Sequence, residues 1–139
     1  MLRPYTRFFD FFGRANRREF WLFAIFYLCA SFLLLWSALL LGLLFPFPAT
    51  ATVLLIAFYL FAWGSLIPLL AVAIRRLHDI GRSGWWILLG LSSVCLLIPP
   101  SLLGGWRGVL WLPVVAMLAL LVMLMWRGEA GINRFGTPP

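Results

Sequence analysis

Long apolar stretches alternate with short polar segments along this chain. Four stretches contain no Asp, Glu, Lys, Arg or His, and they cover residues 20–44, 49–74, 85–103 and 109–126. A helix needs about 20 apolar residues to cross a hydrocarbon core of about 30 Å. Inside lipid every backbone group must find its partner within the segment, so each stretch is predicted to be a transmembrane helix. The pattern therefore predicts an all-α four-helix transmembrane bundle, formed by residues 1–139 as a single membrane domain.

The arginines predict the orientation of this bundle. Ten of the eleven basic residues lie in the N-terminal segment, in the loop after the second stretch or in the C-terminal tail, and the other is Arg107. Positive charge favours the cytoplasmic side of a membrane. Both termini are therefore expected inside, with residues 1–19 as a cytoplasmic segment and residues 127–139 as a cytoplasmic tail of a multi-pass protein.

The N-terminal segment has a helical pattern of its own. Aromatic residues recur there at the spacing of one helical face: Tyr5, Phe8, Phe9 and Phe12. Basic residues fall largely on the opposite face, which predicts a short helix lying in the membrane interface. Asn16 followed by Glu19 resembles a capping box, which would begin the first transmembrane helix.

The loop between the second and third stretches, residues 75–84, holds the densest polar cluster. If the second helix continues into this loop, Arg75 and Arg76 lie four and three residues before Asp79, within pairing distance on one face. Gly81 suits a left-handed helix C-cap, and Ser83 suits the N-cap of the next helix. These features favour a rigid, self-paired turn.

Two other interpretations of the same loop remain open. The arginine forks would suit an anion site for a phosphate-bearing headgroup or ligand. His78 and Asp79 could form a proton-transfer pair, although sequence neighbours on a helix point in different directions.

Composition excludes the soluble classes of protein. The chain is 64% hydrophobic and 11% charged, which leaves too little polar surface to cover a water-soluble globule. The formal charge of +7 therefore indicates membrane topology and anionic lipid, and no nucleic-acid partner is expected. The single His and two Cys form no ligand motif, so no metal and no cofactor is expected.

Three segments carry a family resemblance. They read FFGRANRREFW at 11–21, RRLHDIGRSGWW at 75–86 and NRFG at 133–136, the last preceded by Gly128 and Gly131. In this order they resemble the motifs of domain-of-unknown-function family 805, the YhaH/YhaI-like inner-membrane proteins of bacteria. The resemblance covers essentially the whole chain. It implies a bacterial inner (cytoplasmic) membrane location and no particular activity.

All three segments fall on the predicted cytoplasmic side, which leads to a hypothesis about the site. We expect one surface for an anionic lipid or a partner, formed by Arg14, Arg17, Glu19, Arg75, Arg76, His78, Asp79, Arg82, Asn133 and Arg134. No catalytic residue is assigned. The leading interpretation is a non-enzymatic accessory or interaction protein whose Arg-rich face binds anionic phospholipid or a partner. It would act as a homo-oligomer or as a subunit of a larger membrane complex.

Two alternative functions remain. One is a small homo-oligomeric transporter or channel component with a polar path near Gly64, Ser65, Pro68, Ser92 and Ser93. The absence of charged residues from the four stretches disfavours ion-coupled transport. The other is an enzyme that acts on lipid-linked substrates through His78 and Asp79.

Overall fold

Helices dominate the part of the chain that the structure describes. In this computed structural model, the described residues are 9–44, 48–92 and 111–139. They contain no β-strand, and an isolated bridge pairs Asn133 with Gly136 in the tail. The helices, in chain order, are α1 (Arg17–Leu44), α2 (Pro48–Asp79), a 3-10 helix (Gly84–Ile87), α3 (Leu88–Leu91) and α4 (Trp111–Met125).

The first two apolar stretches are helical, as predicted. α1 begins three residues before the predicted boundary, and α2 continues five residues beyond residue 74. Both helices are long and apolar enough to cross a membrane. Pro68 cannot donate a backbone hydrogen bond, and α2 continues through it with the Pro68 side chain buried. A hinge at Pro68 stays a prediction.

The other two predicted spans are seen only in part. The third begins as the 3-10 helix and α3, and the remainder of its predicted range lies outside the described residues. α4 has 15 residues, or about 22 Å of helix, with Pro113 buried near its start. The four-span topology and the single membrane domain stay predictions.

The predicted interfacial helix lies mostly outside the described residues, which begin at Phe9. Residues 9–16 contain no helix, and Phe9 and Phe12 are exposed. Asn16 directly precedes α1 and Glu19 lies in its first turn, which are the positions predicted for the capping box.

The chain divides into two compact units. The first unit comprises Met1–Asp10 and Arg18–Ala71, and the second unit comprises Phe11–Arg17 and Val72–Pro139. Each is described separately below.

In the first unit, α1 and α2 form an antiparallel pair. The Tyr27 hydroxyl donates to the Ala62 carbonyl at 3.3 Å, and the Tyr27 ring stacks on Phe61 with centroids 6.0 Å apart. Near the other end of the pair, Gly42 lies close to the side chain of Ala51. Aromatic packing at one end and small residues at the other therefore hold the two helices together.

In the second unit, short helical turns follow the end of α2. Ser83 is the N-cap of the 3-10 helix, as predicted, and its hydroxyl accepts a hydrogen bond from the Trp85 backbone N–H at 3.4 Å. α3 continues from the 3-10 helix and packs against α4, with Gly90 facing Leu120.

Candidate functional site

The end of α2 is a Schellman turn. Gly81 has a φ of +71°, the left-handed conformation predicted for a C-cap. Its N–H donates to the His78 carbonyl at 3.0 Å, and the Arg82 N–H donates to the Leu77 carbonyl at 3.0 Å. A side chain on residue 81 would be strained in this conformation, and glycine avoids that strain. The turn ends α2 and holds the backbone of Arg82 against the last turn of that helix.

Asp79, on the last turn of α2, lies between two arginines. Its Oδ1 atom accepts from Arg14 Nε at 2.9 Å and lies 2.8 Å from Arg14 Nη2, while its Oδ2 atom pairs with Arg76 Nη1. The side chains of Arg14, Arg76 and Asp79 are 1%, 0% and 7% exposed. Low exposure strengthens these charge-assisted hydrogen bonds and makes the loss of one partner costly. We call these three residues the ion triad.

Arg14 also binds the backbone of the tail. Its Nη1 atom donates to the carbonyl oxygens of Gly131 at 2.7 Å and Gly136 at 3.4 Å. Its Nη2 atom donates to the Glu129 carbonyl and, at 3.4 Å, to the Asp79 carbonyl. Arg14 itself lies in the family segment 11–21. Through the fixed donors of its guanidinium plane it binds the segment 75–86 and the segment 133–136 with the residues just before it.

Arg76 and Arg17 cap the C-terminal end of α4. Arg76 Nε donates to the Leu124 carbonyl at 3.2 Å, and Arg76 Nη2 donates to the Trp126 carbonyl. Arg17 Nη1 donates to the Met125 carbonyl at 3.3 Å. The last carbonyls of a helix lack intrahelical partners and carry partial negative charge, so cationic donors stabilise them.

His78 and Asn133 connect the tail to the same turn. Asn133 Nδ2 donates to the His78 carbonyl at 3.0 Å and to Glu129 Oε2 at 2.8 Å. The His78 ring stacks on Phe135 with centroids 4.0 Å apart, and its Nδ1 atom lies 3.2 Å from the Gly13 carbonyl. A carbonyl oxygen only accepts, so Nδ1 carries the proton in this contact. The His78 ring therefore has partners other than the Asp79 carboxylate.

The remaining arginines of the turn and tail face outwards. Arg134 is exposed, donates to the Gly81 carbonyl at 3.0 Å and lies 4.8 Å from the centroid of the Phe135 ring. Arg82 is exposed and lies over the Trp86 ring at 5.7 Å. Each of these two arginines makes a cation–π interaction with a neighbouring ring, and its positive charge stays at the surface.

The second unit contains nine of the ten residues predicted for the site. Glu19 is the exception, because it belongs to the first unit. Arg75 is buried, and its carbonyl accepts from the Ala15 N–H at 3.1 Å. The surface hypothesis stays a prediction. The nine residues are Arg14, Arg17, Arg75, Arg76, His78, Asp79, Arg82, Asn133 and Arg134.

Two residues that contribute to the site, Glu129 and Phe135, were not among those predicted from the sequence. The Glu129 N–H donates to the Asp79 carbonyl at 2.9 Å, its own carbonyl accepts from Arg14, and its carboxylate accepts from Asn133. Glu129 is one of four acidic residues in the chain, and that scarcity was the available signal. No signal in the sequence distinguished Phe135 from the many other aromatic residues.

The proposed transport path receives no specific support from the described residues. Ser65 and Pro68 are buried in the first unit, whereas Gly64 is exposed. The Ser92 hydroxyl donates to the Leu89 carbonyl at 2.5 Å, and Ser93 lies outside the described residues. The transporter hypothesis stays a prediction.

Gly128→Ala is expected to destabilise the second unit by about 2 kcal/mol, because the new methyl group would overlap the buried carboxylate of Asp79. Thermal unfolding of the purified protein in mild detergent measures this loss. Gly131→Ala is the matched control, because a methyl group there meets no atom within 4 Å. Equal stability of the two variants would contradict the close approach at Gly128.

Comparison with known proteins shows which sequences this chain is similar to. Residues 8–137 match the family model described as "Protein of unknown function (DUF805)". The inner membrane protein YhaI of Escherichia coli strain K12 is 34% identical over 129 residues, covering 93% of this chain and 85% of YhaI. The inner membrane protein YhaH of the same strain is 31% identical over 140 residues, covering 99% of this chain and 93% of YhaH. No solved structure matches.

Proposed function

We propose that this chain, which belongs to the DUF805 family of membrane proteins, is a non-enzymatic inner-membrane protein that binds anionic phospholipid through exposed arginines of its second unit. One observation carries this proposal: the arginines of the unit separate into buried and exposed sets. The buried set consists of Arg14, Arg75 and Arg76, and within it Arg14 and Arg76 contact Asp79 and backbone carbonyls. We call the exposed set the arginine rim, and it consists of Arg17, Arg82, Arg127 and Arg134.

The buried set explains why the rim keeps its positive charge. Asp79 is enclosed by the two arginines of the ion triad, and the Glu129 carboxylate accepts a hydrogen bond from Asn133. These are the only two acidic side chains among the described residues of the second unit, against seven arginines. A surplus of positive charge therefore remains at the surface. Each basic residue near an anionic membrane contributes about 1 kcal/mol of attraction.

Exposed tryptophans accompany the rim. Trp86 lies under Arg82, and Trp126 directly precedes Arg127 in the chain. Both indoles are exposed, as is that of Trp85. Tryptophan concentrates at the membrane–water interface, where the ring contacts lipid and the N–H finds a polar partner. The rim is therefore suited to the level of phospholipid headgroups.

The side-chain contacts favour this proposal over an enzyme that uses His78 and Asp79. Both Asp79 oxygens face arginines, and the His78 ring faces Phe135 and the Gly13 carbonyl. A proton-transfer pair needs its two groups within hydrogen-bond reach.

The test replaces three rim arginines together: Arg82→Gln, Arg127→Gln and Arg134→Gln. The protein is reconstituted in nanodiscs of phosphatidylcholine and phosphatidylglycerol, extracted in mild detergent, and its retained lipid is quantified by mass spectrometry. We expect the enrichment of phosphatidylglycerol to fall about tenfold or more. High salt should weaken the enrichment in the unmodified protein, because these charges are exposed.

The matched control carries Lys at the same three positions, which keeps the charge. It should retain most of the enrichment, and thermal unfolding should show that all three proteins are folded. Undiminished phosphatidylglycerol on the Gln variant would overturn the proposal.

A further inference from the structure

A groove with a volume of about 360 Å³ opens on the second unit. It is formed by the turn after α2, the 3-10 helix and the last turns of α4. Its lining residues are Ile80, Arg82, Trp86, Val122, Met123 and Trp126. The volume falls at the small end of the range of about 300–1,000 Å³ for ligand sites.

The groove lining is amphipathic. Arg82 is the one charged residue among the described residues that line it, and Ile80, Val122 and Met123 supply an apolar wall. Across the described residues, the Arg82 guanidinium makes no hydrogen bond or ion pair, and its contact is the cation–π interaction with Trp86. A bound anion would therefore meet a donor fork that is held in place by an aromatic ring and still has free donors.

We infer that this groove binds one anionic glycerophospholipid, with the phosphate at Arg82 and the first part of an acyl chain against Val122 and Met123. The inference rests on the proposed function and names a discrete site within it. A bare phosphate would leave the apolar wall uncovered, whereas an acyl chain packs along that wall and gains van der Waals contacts with it. The groove is too small for a whole lipid, so the rest of the molecule stays in the bilayer.

The charge of the surroundings selects an anionic lipid over a zwitterionic one. None of the described residues that line the groove carries a carboxylate. A second exposed cation, Arg127, directly follows the lining residue Trp126 in the chain. A choline headgroup would bring its own positive charge towards these arginines, whereas a glycerol headgroup would not.

The experiment counts the lipids that remain bound. Native mass spectrometry is performed on the full chain released from mixed phosphatidylcholine and phosphatidylglycerol nanodiscs. We expect one retained phosphatidylglycerol on the unmodified protein. Val122→Trp should fill the groove and remove that lipid, and Arg82→Gln should reduce its occupancy about fivefold.

Val115→Trp is the matched control for the bulky substitution. Val115 and Val122 both lie on α4 and are 60% and 54% exposed, but Val115 does not line the groove. The Val115→Trp protein should keep the retained lipid. Soluble glycerophosphate should not displace it, because that compound lacks the acyl chain, and displacement would identify a phosphate-ester site instead and overturn the inference.

Separate results distinguish failure of the groove from failure of the proposed function. If Val122→Trp leaves the single lipid in place while Arg127→Gln/Arg134→Gln lowers overall phosphatidylglycerol enrichment, the rim acts without the groove and this inference is wrong. If none of these variants changes retained lipid, both proposals are wrong.

Discussion

Asp79→Asn is expected to lower the free energy of unfolding by about 3–5 kcal/mol. The substitution keeps the size of the side chain and removes the only anion between two buried guanidinium groups. Where Asp79 Oδ2 now accepts from Arg76, an amide nitrogen in that position would place donor against donor. Turning the amide over would create the same conflict with Arg14. The loss therefore comes from uncompensated buried charge rather than from lost packing.

Reversible unfolding in mixed detergent micelles measures this change. Glu129→Gln is the control, because it is also a carboxylate-to-amide change in the second unit but at an exposed residue. The control should cost no more than about 1 kcal/mol. If the two variants lost similar stability, the ion triad would not be a principal support of the unit.

Arg14→Lys is expected to cost on the order of 3 kcal/mol, although the charge is conserved. Arg14 donates from all three nitrogens to Asp79 and to carbonyls of Glu129, Gly131 and Gly136. An ammonium group is a single point with three donors, so it cannot reach acceptors arranged around a planar fork. Several tail carbonyls would lose the donor that now binds them.

The same unfolding measurement applies, with Arg127→Lys as the matched control. Arg127 is exposed, so its replacement should change stability by no more than about 0.5 kcal/mol. Limited proteolysis adds a readout for Arg14→Lys, because a tail released from Arg14 should be cleaved faster. A tail that stays as resistant as in the unmodified protein would contradict the role given to Arg14.

The first two helices were predictable because the bilayer imposes a simple rule on sequence: a long apolar segment inside it must be helical. The ends of α1 and α2 fall within a few residues of the apolar boundaries, and Gly81 and Ser83 cap the elements as their residue types indicate. Arg76 and Asp79 pair because helical geometry places residues three apart on one face. Each of these features depends on nearby residues only.

The long-range contacts of the site could not be predicted in detail. The sequence placed Arg14 on the expected surface, but nothing local indicates that its guanidinium would be buried against carbonyls of the tail. The stacking of Phe135 on His78 depends on how the tail folds back. Backbone carbonyls are identical at every position, so a site built largely from them leaves little trace in residue types.

The position of Arg14 in the chain determines when its contacts can form. A ribosome makes Asp79 sixty-five residues after Arg14, and it makes Gly131 117 residues after Arg14. Translation proceeds at about 5–20 residues per second, so Arg14 exists for several seconds before its last acceptors do. The polar cluster therefore cannot be complete until the residues around Gly131 have been synthesised. A truncated chain that lacks Gly131 and Gly136 also lacks the carbonyls that Arg14 Nη1 binds, so it cannot complete the cluster.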